Sequence, residues 1–318
     1  MKTFSIMDAA VEPFRLVGRR PLATIVWGLV MLAPSLLTIG ALLPLIGELA
    51  ASGAFNAEAL EAADSEEILF GGDMAAMMQF HLWSNLAQLL GLLSLLLVTT
   101  AIIRGVFAGR RGDRAFFLRI GMAELQVAVV GLAVCVGFFL VAILVVLLAV
   151  GLGIALWQLA DPWRWLLCIA LGLGVCLGLV ALWGRLSLLA PASIHYRTFA
   201  FEEGWRLGRG KTWSLLGLWI ILILIGIAVG LAFMTLFIIV MLAVGGGLQL
   251  TDPEALEAWV ESLPRRQPAL LAAMAVLLLI PMAWLQGFSQ TLFTAPFAHV
   301  VRARAGSDAP PATVEELH

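Results

Sequence analysis

Gly210, Lys211 and Thr212 open a long apolar run within FEEGWRLGRGKTWSLLGLW, the stretch from Phe201 to Trp219. Such a triplet can hold nucleotide phosphates when an earlier glycine shapes a loop whose backbone N–H groups, with the lysine and the hydroxyl, surround the anion. That earlier glycine belongs at position 205, which is Trp205; Gly204 is one residue out of register. The motif also belongs after a buried strand, and here it follows the charged segment Arg197 to Arg206. No nucleotide is therefore expected. His195, with Glu202 and Glu203 downstream, is the other candidate for acid/base or metal chemistry, but these positions lack the i, i+3 or i+4 spacing that would converge three ligands. His81, His299 and His318 are isolated in the sequence, and no Ser-His-Asp order, HExxH motif or catalytic carboxylate pair emerges. Cys135, Cys168 and Cys176 lie inside apolar runs and are expected to act as small packing residues. The residue types point to a protein that is not an enzyme, with no cofactor, no metal and no nucleic-acid partner.

The elements that carry these residues are apolar. Of 318 residues 62% are hydrophobic and 13% charged, with a mean hydropathy of +1.01. A water-soluble domain carries about 25% charged residues, so too few are present to cover a solvated surface. Crossing the roughly 30 Å hydrocarbon layer takes about 20 apolar residues. Six runs meet that length, over approximately 21–46, 82–106, 125–156, 165–189, 214–244 and 269–297. Lipid leaves backbone groups no partner, so each run must be a helix. The expected fold is all-α, a polytopic membrane protein whose six spans form three hairpins in one domain, 1–304, with a disordered cytoplasmic tail over 305–318. The two longest runs must tilt, project beyond the bilayer or kink near Gly151 and Gly153. Pro34, Pro44 and Pro281 mark further kink positions.

Sixteen of the 19 basic residues fall at the N-terminus, in two alternate loops with their flanking helix ends, and in the tail. The other loops hold only Arg164, Arg265 and Arg266. The positive-inside rule then puts both termini in the cytoplasm. The opposite loops are acidic, with Glu58, Glu61, Asp64, Glu66, Glu67 and Asp73 in one and Asp252, Glu254, Glu257 and Glu261 in another. In the second of these, Thr251 and Glu254 form a capping box for a short surface helix.

FRLVGRR, LRIGMAE and WRLGRGK precede the odd-numbered spans, and APASIHYR parallels APFAHVVR after the even ones. This repetition suggests hairpins introduced by amphipathic interfacial segments. In the first and third segments Arg15, Arg19, Arg20, Arg206, Arg209 and Lys211 are placed to meet anionic headgroups, with Trp205 and Trp213 as aromatic anchors. Ionisable residues at membrane depth are few: Arg104 and Arg185 near helix ends, and Glu124, which could pair with either. Gln286, Ser289, Gln290 and Thr294 share much of one helical face, and Ser84, Asn85, Gln88, Thr99 and Thr100 form a weaker stripe on the second span. These faces either bond neighbouring helices or, with Arg104 and Arg185, line a polar path. Gly174 with Gly178, and Gly226 with Gly230, are GxxxG pairs that would bring the fourth and fifth spans together or make a dimer face.

The stretch RLSLLAPASIHYRTFAFEEGWRLGRGKTWSLLGLW, together with FSIMDAAVEPFRLVGRRP, resembles the glycerophosphoryl diester phosphodiesterase membrane-domain family and related six-helix bacterial membrane proteins of uncharacterised function. The residues that carry the resemblance are Arg185, Pro191, Glu203, Gly204, Trp205, Arg206 and Lys211. It implies a six-helix membrane region of the kind fused elsewhere to a phosphodiesterase domain; after Arg304 only AGSDAPPATVEELH follows here, so the label does not imply that activity. The expected function is a membrane scaffold or lipid-handling partner of phospholipids, with other membrane proteins or a second copy as further partners. A transporter or channel for a small or amphipathic substrate is the alternative, and a lipid-headgroup enzyme using His195 the third reading.

Overall fold

The computed structural model describes residues 5–51, 74–108, 116–118, 121–158, 161–244 and 268–305. The acidic loops, the Thr251 capping box, Arg265, Arg266 and the tail lie outside these residues. Among the described residues there are helices and no strands. Each apolar run is helical: α2 (Pro21–Ala51), α3 (Met74–Ala108), α4 (Met122–Leu156), α5 (Trp163–Leu186), α8 (Thr212–Val244) and α9 (Pro268–Ala305). Among the described residues five stretches are long and apolar enough to cross a membrane, Pro21–Leu42, Met78–Ala108, Met122–Leu156, Trp163–Tyr196 and Thr212–Ile239.

Three short helices complete the chain: α1 (Ile6–Arg19), α6 (Leu189–Tyr196) and α7 (Phe201–Gly208). α1 starts where the Ser5 side chain accepts from the Asp8 N–H at 3.3 Å, which satisfies one of the free donors of the first turn. It stops where the Arg20 N–H bonds back to Leu16 and Val17 and Pro21 begins the next helix. α1 buries Ala9, Ala10, Glu12, Pro13, Leu16 and Val17 and exposes Met7, Asp8, Phe14, Arg15 and Arg19. It is thus amphipathic, as its sequence requires, but its inner face rests on protein. The turn between α7 and α8 passes through Gly210 at φ 75°, a backbone conformation that glycine adopts without a Cβ penalty.

The long helices fall into two groups of three. α2, α3 and α9 pack on one another, while α5 packs between α4 and α8. The sequence pairs α8 with α9 as a hairpin; in the structure α9 lies mainly against α2, α3 and α1, and α8 mainly against α5 and α1. α1 and α6 span the two groups at the end where the chain carries its basic residues, hereafter the charged end. The buried core is gathered there, in one cluster that includes Leu188, Leu215, Leu218, Leu222, Phe288 and Phe297 and another that includes Trp27, Val98, Ile102, Ile103 and Val127. Away from that end α4, α5 and α8 present apolar side chains outward, such as Leu132, Leu147, Ile169 and Leu231, each more than half exposed. In a bilayer that surface is solvated by acyl chains.

The tightest approach joins α2 to α9. A Cβ on Gly28 would stand 1.6 Å from the Ala283 carbonyl oxygen, and one on Gly287 would stand 2.0 Å from that of Thr24. The GxxxG pairs behave otherwise. Nothing lies within 4 Å of a Cβ at Gly174, Gly178 or Gly230, and Gly226 meets only Phe293 and Leu292. Gly174 and Gly178 instead border an apolar groove of about 520 Å³ between α4 and α5, with Val141, Val145, Leu171 and Leu182. The small residues that bring backbones together are therefore Gly28 and Gly287, which no GxxxG spacing marks. Gly28→Ala and Gly287→Ala should each destabilise the detergent-solubilised protein by about 1–3 kcal/mol or more, the scale of overpacking. Gly174→Ala should leave its apparent melting temperature unchanged or higher.

Candidate functional site at the charged end

Two buried carboxylates organise the charged end. Glu124, on the first turn of α4, accepts from its own helix start at Gly121 N–H, 2.8 Å. It also takes a two-pronged contact from Arg104 of α3, with Nη1 to Oε1 at 2.7 Å and Nη2 to Oε2 at 3.0 Å. Its partner is thus Arg104; Arg185 lies elsewhere. Arg104 Nη1 also donates to the Phe117 carbonyl at 3.3 Å. The neighbouring Phe116 carbonyl accepts from the Trp27 indole N–H at 2.9 Å, and the Arg20 guanidinium lies 4.5 Å above the Phe117 ring. Phe116 and Phe117 both have left-handed backbones, φ 52° and 63°. That conformation is costly for bulky residues and persists where surrounding bonds fix it.

Glu12 is the second carboxylate, 3% exposed on the inner face of α1. Arg302 Nη2 of α9 stands 3.4 Å from its Oε1 and His299 Nδ1 3.4 Å from its Oε2, with Arg15 Nη1 at 3.9 Å. Arg302 also donates to the Val106 carbonyl of α3. Burial pushes the Glu12 carboxyl upward, but the His299 hydrogen bond and the charges of Arg302, His299 and Arg19 outweigh it, and its pKa falls below 4.5. His299, isolated in the sequence, is therefore part of a cluster. Glu12 sits one helical turn before Arg15 and Leu16, and its place on the apolar stripe of α1 was the signal that could have identified it.

Arg185, at the end of α5, donates to the Thr212 hydroxyl and lies 5.3 Å over the Trp205 ring. Its stem touches Gly208, while Gly204 closes on Leu189 and Ala192. Arg206 and Arg209 are exposed and Lys211 half-buried; Arg15 faces outward with an ion pair to Asp8 at 3.6 Å, and Arg19 is exposed. Trp213 is 81% exposed beside them. On α9, Gln290 donates to Thr99 of α3 at 3.0 Å, joining the two polar stripes as a helix contact. Gln286, Ser289 and Thr294 are half-buried on the same helix. The structure does not bring His195 to Glu202 or Glu203: its ring packs on Phe107 and Tyr196, at 5.6 and 5.1 Å between centroids. Among the described residues no group of three or more His, Cys, Asp or Glu side chains could hold a metal.

Arg104→Ala leaves Glu124 buried without its cation and should cost about 3–5 kcal/mol, whereas the joint change Arg104→Met with Glu124→Leu should recover most of that loss in thermal unfolding. Glu12, with its lowered pKa, stabilises the fold fully above 4.5, and that contribution is lost as pH falls through the lower folded value. Acid unfolding of Glu12→Gln should consequently show a weaker pH dependence below 4.5 than the parent protein. Compared with family models, curated proteins and solved structures, the chain matches none.

Proposed function

We propose that this chain is a six-span protein of a bacterial inner membrane, with its charged end and both termini in the cytoplasm, that binds anionic phospholipid headgroups and serves as a membrane scaffold or lipid-handling partner. The positive-inside distribution supports the orientation, and the length of α9, 38 residues, supports a sixth crossing. The observation that carries the lipid reading is the belt at the charged end. Trp213, Trp205 and Phe14 are exposed there among Arg15, Arg19, Arg206, Arg209 and Lys211. Amphipathic rings beside cations suit the depth at which acyl chains give way to phosphates.

Two further observations support it over its rivals. The bond between Gln290 and Thr99 favours helix packing for the polar faces that a transport path would use. His195, on which a headgroup hydrolase would depend, packs on the aromatic rings of Phe107 and Tyr196 and pairs with no carboxylate among the described residues. Kinship with the glycerophosphoryl diester phosphodiesterase membrane-domain family belongs to the same proposal, supported by the convergence of Arg185, Trp205 and Gly204 around the start of α8 and the end of α5.

Native mass spectrometry of protein extracted from membranes should detect retained phosphatidylglycerol or cardiolipin. Joint neutralisation to Gln of Arg15, Arg206, Arg209 and Lys211 should reduce it by at least about tenfold, because each cation near the surface is worth about 1 kcal/mol and about 1.4 kcal/mol is a factor of ten. Equal retention by both proteins would remove the basis for this function.

A further inference from the structure

The outer half of α3 carries two amides that the fold leaves uncovered. Asn85 and Gln88 are both exposed, and neither hydrogen-bonds another residue among the described ones. At the rise of a helix they stand about 28 and 24 Å from Arg104, the cation at the charged end of α3, within the roughly 30 Å of hydrocarbon that a span crosses. Acyl chains offer an amide neither donor nor acceptor, so one that faces lipid gains from a hydrogen bond to another helix. Further along α3 that need is met, because Thr99 bonds Gln290 of α9. At Asn85 and Gln88 it is not.

The residues around the two amides have a regular spacing. Met78, His81, Asn85, Gln88, Leu92 and Leu95 follow one another at alternating intervals of three and four, the a and d positions of a heptad repeat, and all six are exposed. Leu82 and Leu89, at the adjoining e positions, are 63% and 66% exposed and widen the same face. Its limits are set by the fold. On the other flank a Cβ on Gly91 would stand 3.9 Å from Pro34 of α2, and toward the charged end Thr99 is occupied by α9. What remains free is a seam about 26 Å long, from Met78 to Leu95.

We propose that this seam joins two copies of the chain, their α3 helices forming a parallel two-stranded coiled coil in which Asn85 and Gln88 bond the same residues of the second copy. Two copies inserted in one orientation form a closed pair about an axis along the membrane normal, and that axis brings identical positions together at equal depth. Each residue of the seam therefore meets its own kind. An amide suits such a contact because it has both a donor and an acceptor, so it can bond its own counterpart. A carboxylate or a guanidinium would be repelled, and the seam contains no Asp, Glu, Lys or Arg. The amides also fix the register, since a slip of one heptad sets Asn85 opposite Leu92 and leaves it without a partner. A helix of an unrelated protein would need amides at both depths, whereas a second copy supplies them by symmetry.

Cross-linking and dilution of the full chain in liposomes of phosphatidylethanolamine and phosphatidylglycerol test this. In a background with Cys135, Cys168 and Cys176 changed to Ala, mild oxidation should link Leu92→Cys or Leu95→Cys into a covalent dimer. Leu90→Cys and Leu93→Cys, exposed positions off the seam, should stay monomeric. Diluted into lipid, fluorescently labelled Asn85→Leu/Gln88→Leu protein should dissociate at a protein-to-lipid ratio at least about tenfold higher than the parent, the factor that two interhelical hydrogen bonds supply. The melting temperature of the dissociated variant should equal that of the dissociated parent, because neither amide bonds its own fold. A parent that is monomeric at every ratio, a double variant that dissociates like the parent, or equal cross-linking at all four cysteine positions overturns the proposal. So does cross-linking of Leu92→Cys in native membranes to another protein alone. Joint neutralisation of Arg15, Arg206, Arg209 and Lys211 should leave the dimer intact, so the dimer and the lipid reading fail separately.

Discussion

The backbones of α2 and α9 cross in contact at Gly28 and Gly287, and the placement of the charged end follows from that contact. Helices in lipid gain little from hiding apolar side chains from one another, because acyl chains are equally apolar. Close backbone approach, with the dispersion contacts it adds, is one of the few strong attractions available. Once α2 and α9 are locked, Trp27 is fixed on the first and His299 and Arg302 on the second, and α3 fits against both. The position at which α1 finds a partner for Glu12 is then determined.

Charge does the work of specificity on this frame. Two buried carboxylates, Glu12 and Glu124, each bridge separate helices through an arginine, and each would be expensive to bury alone. Such pairs add modest net stability, but they penalise any other register, because a shifted helix strands a charge. The outer parts of α4, α5 and α8 have no equivalent device among the described residues. Aromatic contacts join α4 to α5 there instead, Phe138 with Trp183 at 4.9 Å and, where the two helices connect, Trp157 with Trp165 at 5.2 Å beneath Arg164.

Much of this was legible in the sequence. Helix positions followed from apolar run length, because a bilayer forbids other backbones, and the ends at Pro21, Thr212 and Pro268 fell within a few residues of the composition boundaries. The amphipathic character of α1 and α7 was also visible. What periodicity could not reveal was which surface each amphipathic face would meet: α1 lays its apolar stripe partly on α8 and α9, where a membrane surface was expected. Three-dimensional pairings escaped for the same reason. Glu12 with His299 and Arg302 is a contact across nearly the whole chain, and no local spacing announces it. Gly28 and Gly287 are likewise single glycines on two distant helices that no GxxxG spacing marks, while Gly174 and Gly178 bring no backbone of this chain close.

The short segment at Phe116 and Phe117 has a mechanical consequence. It immediately precedes α4, yet it is tethered from behind by the indole of Trp27 on α2 and by Arg104 on α3. Two consecutive left-handed residues leave little torsional slack. A displacement of Trp27 would therefore reach the residues before α4 through these bonds as well as through the apolar cluster that Trp27 shares with Phe117 and Val127.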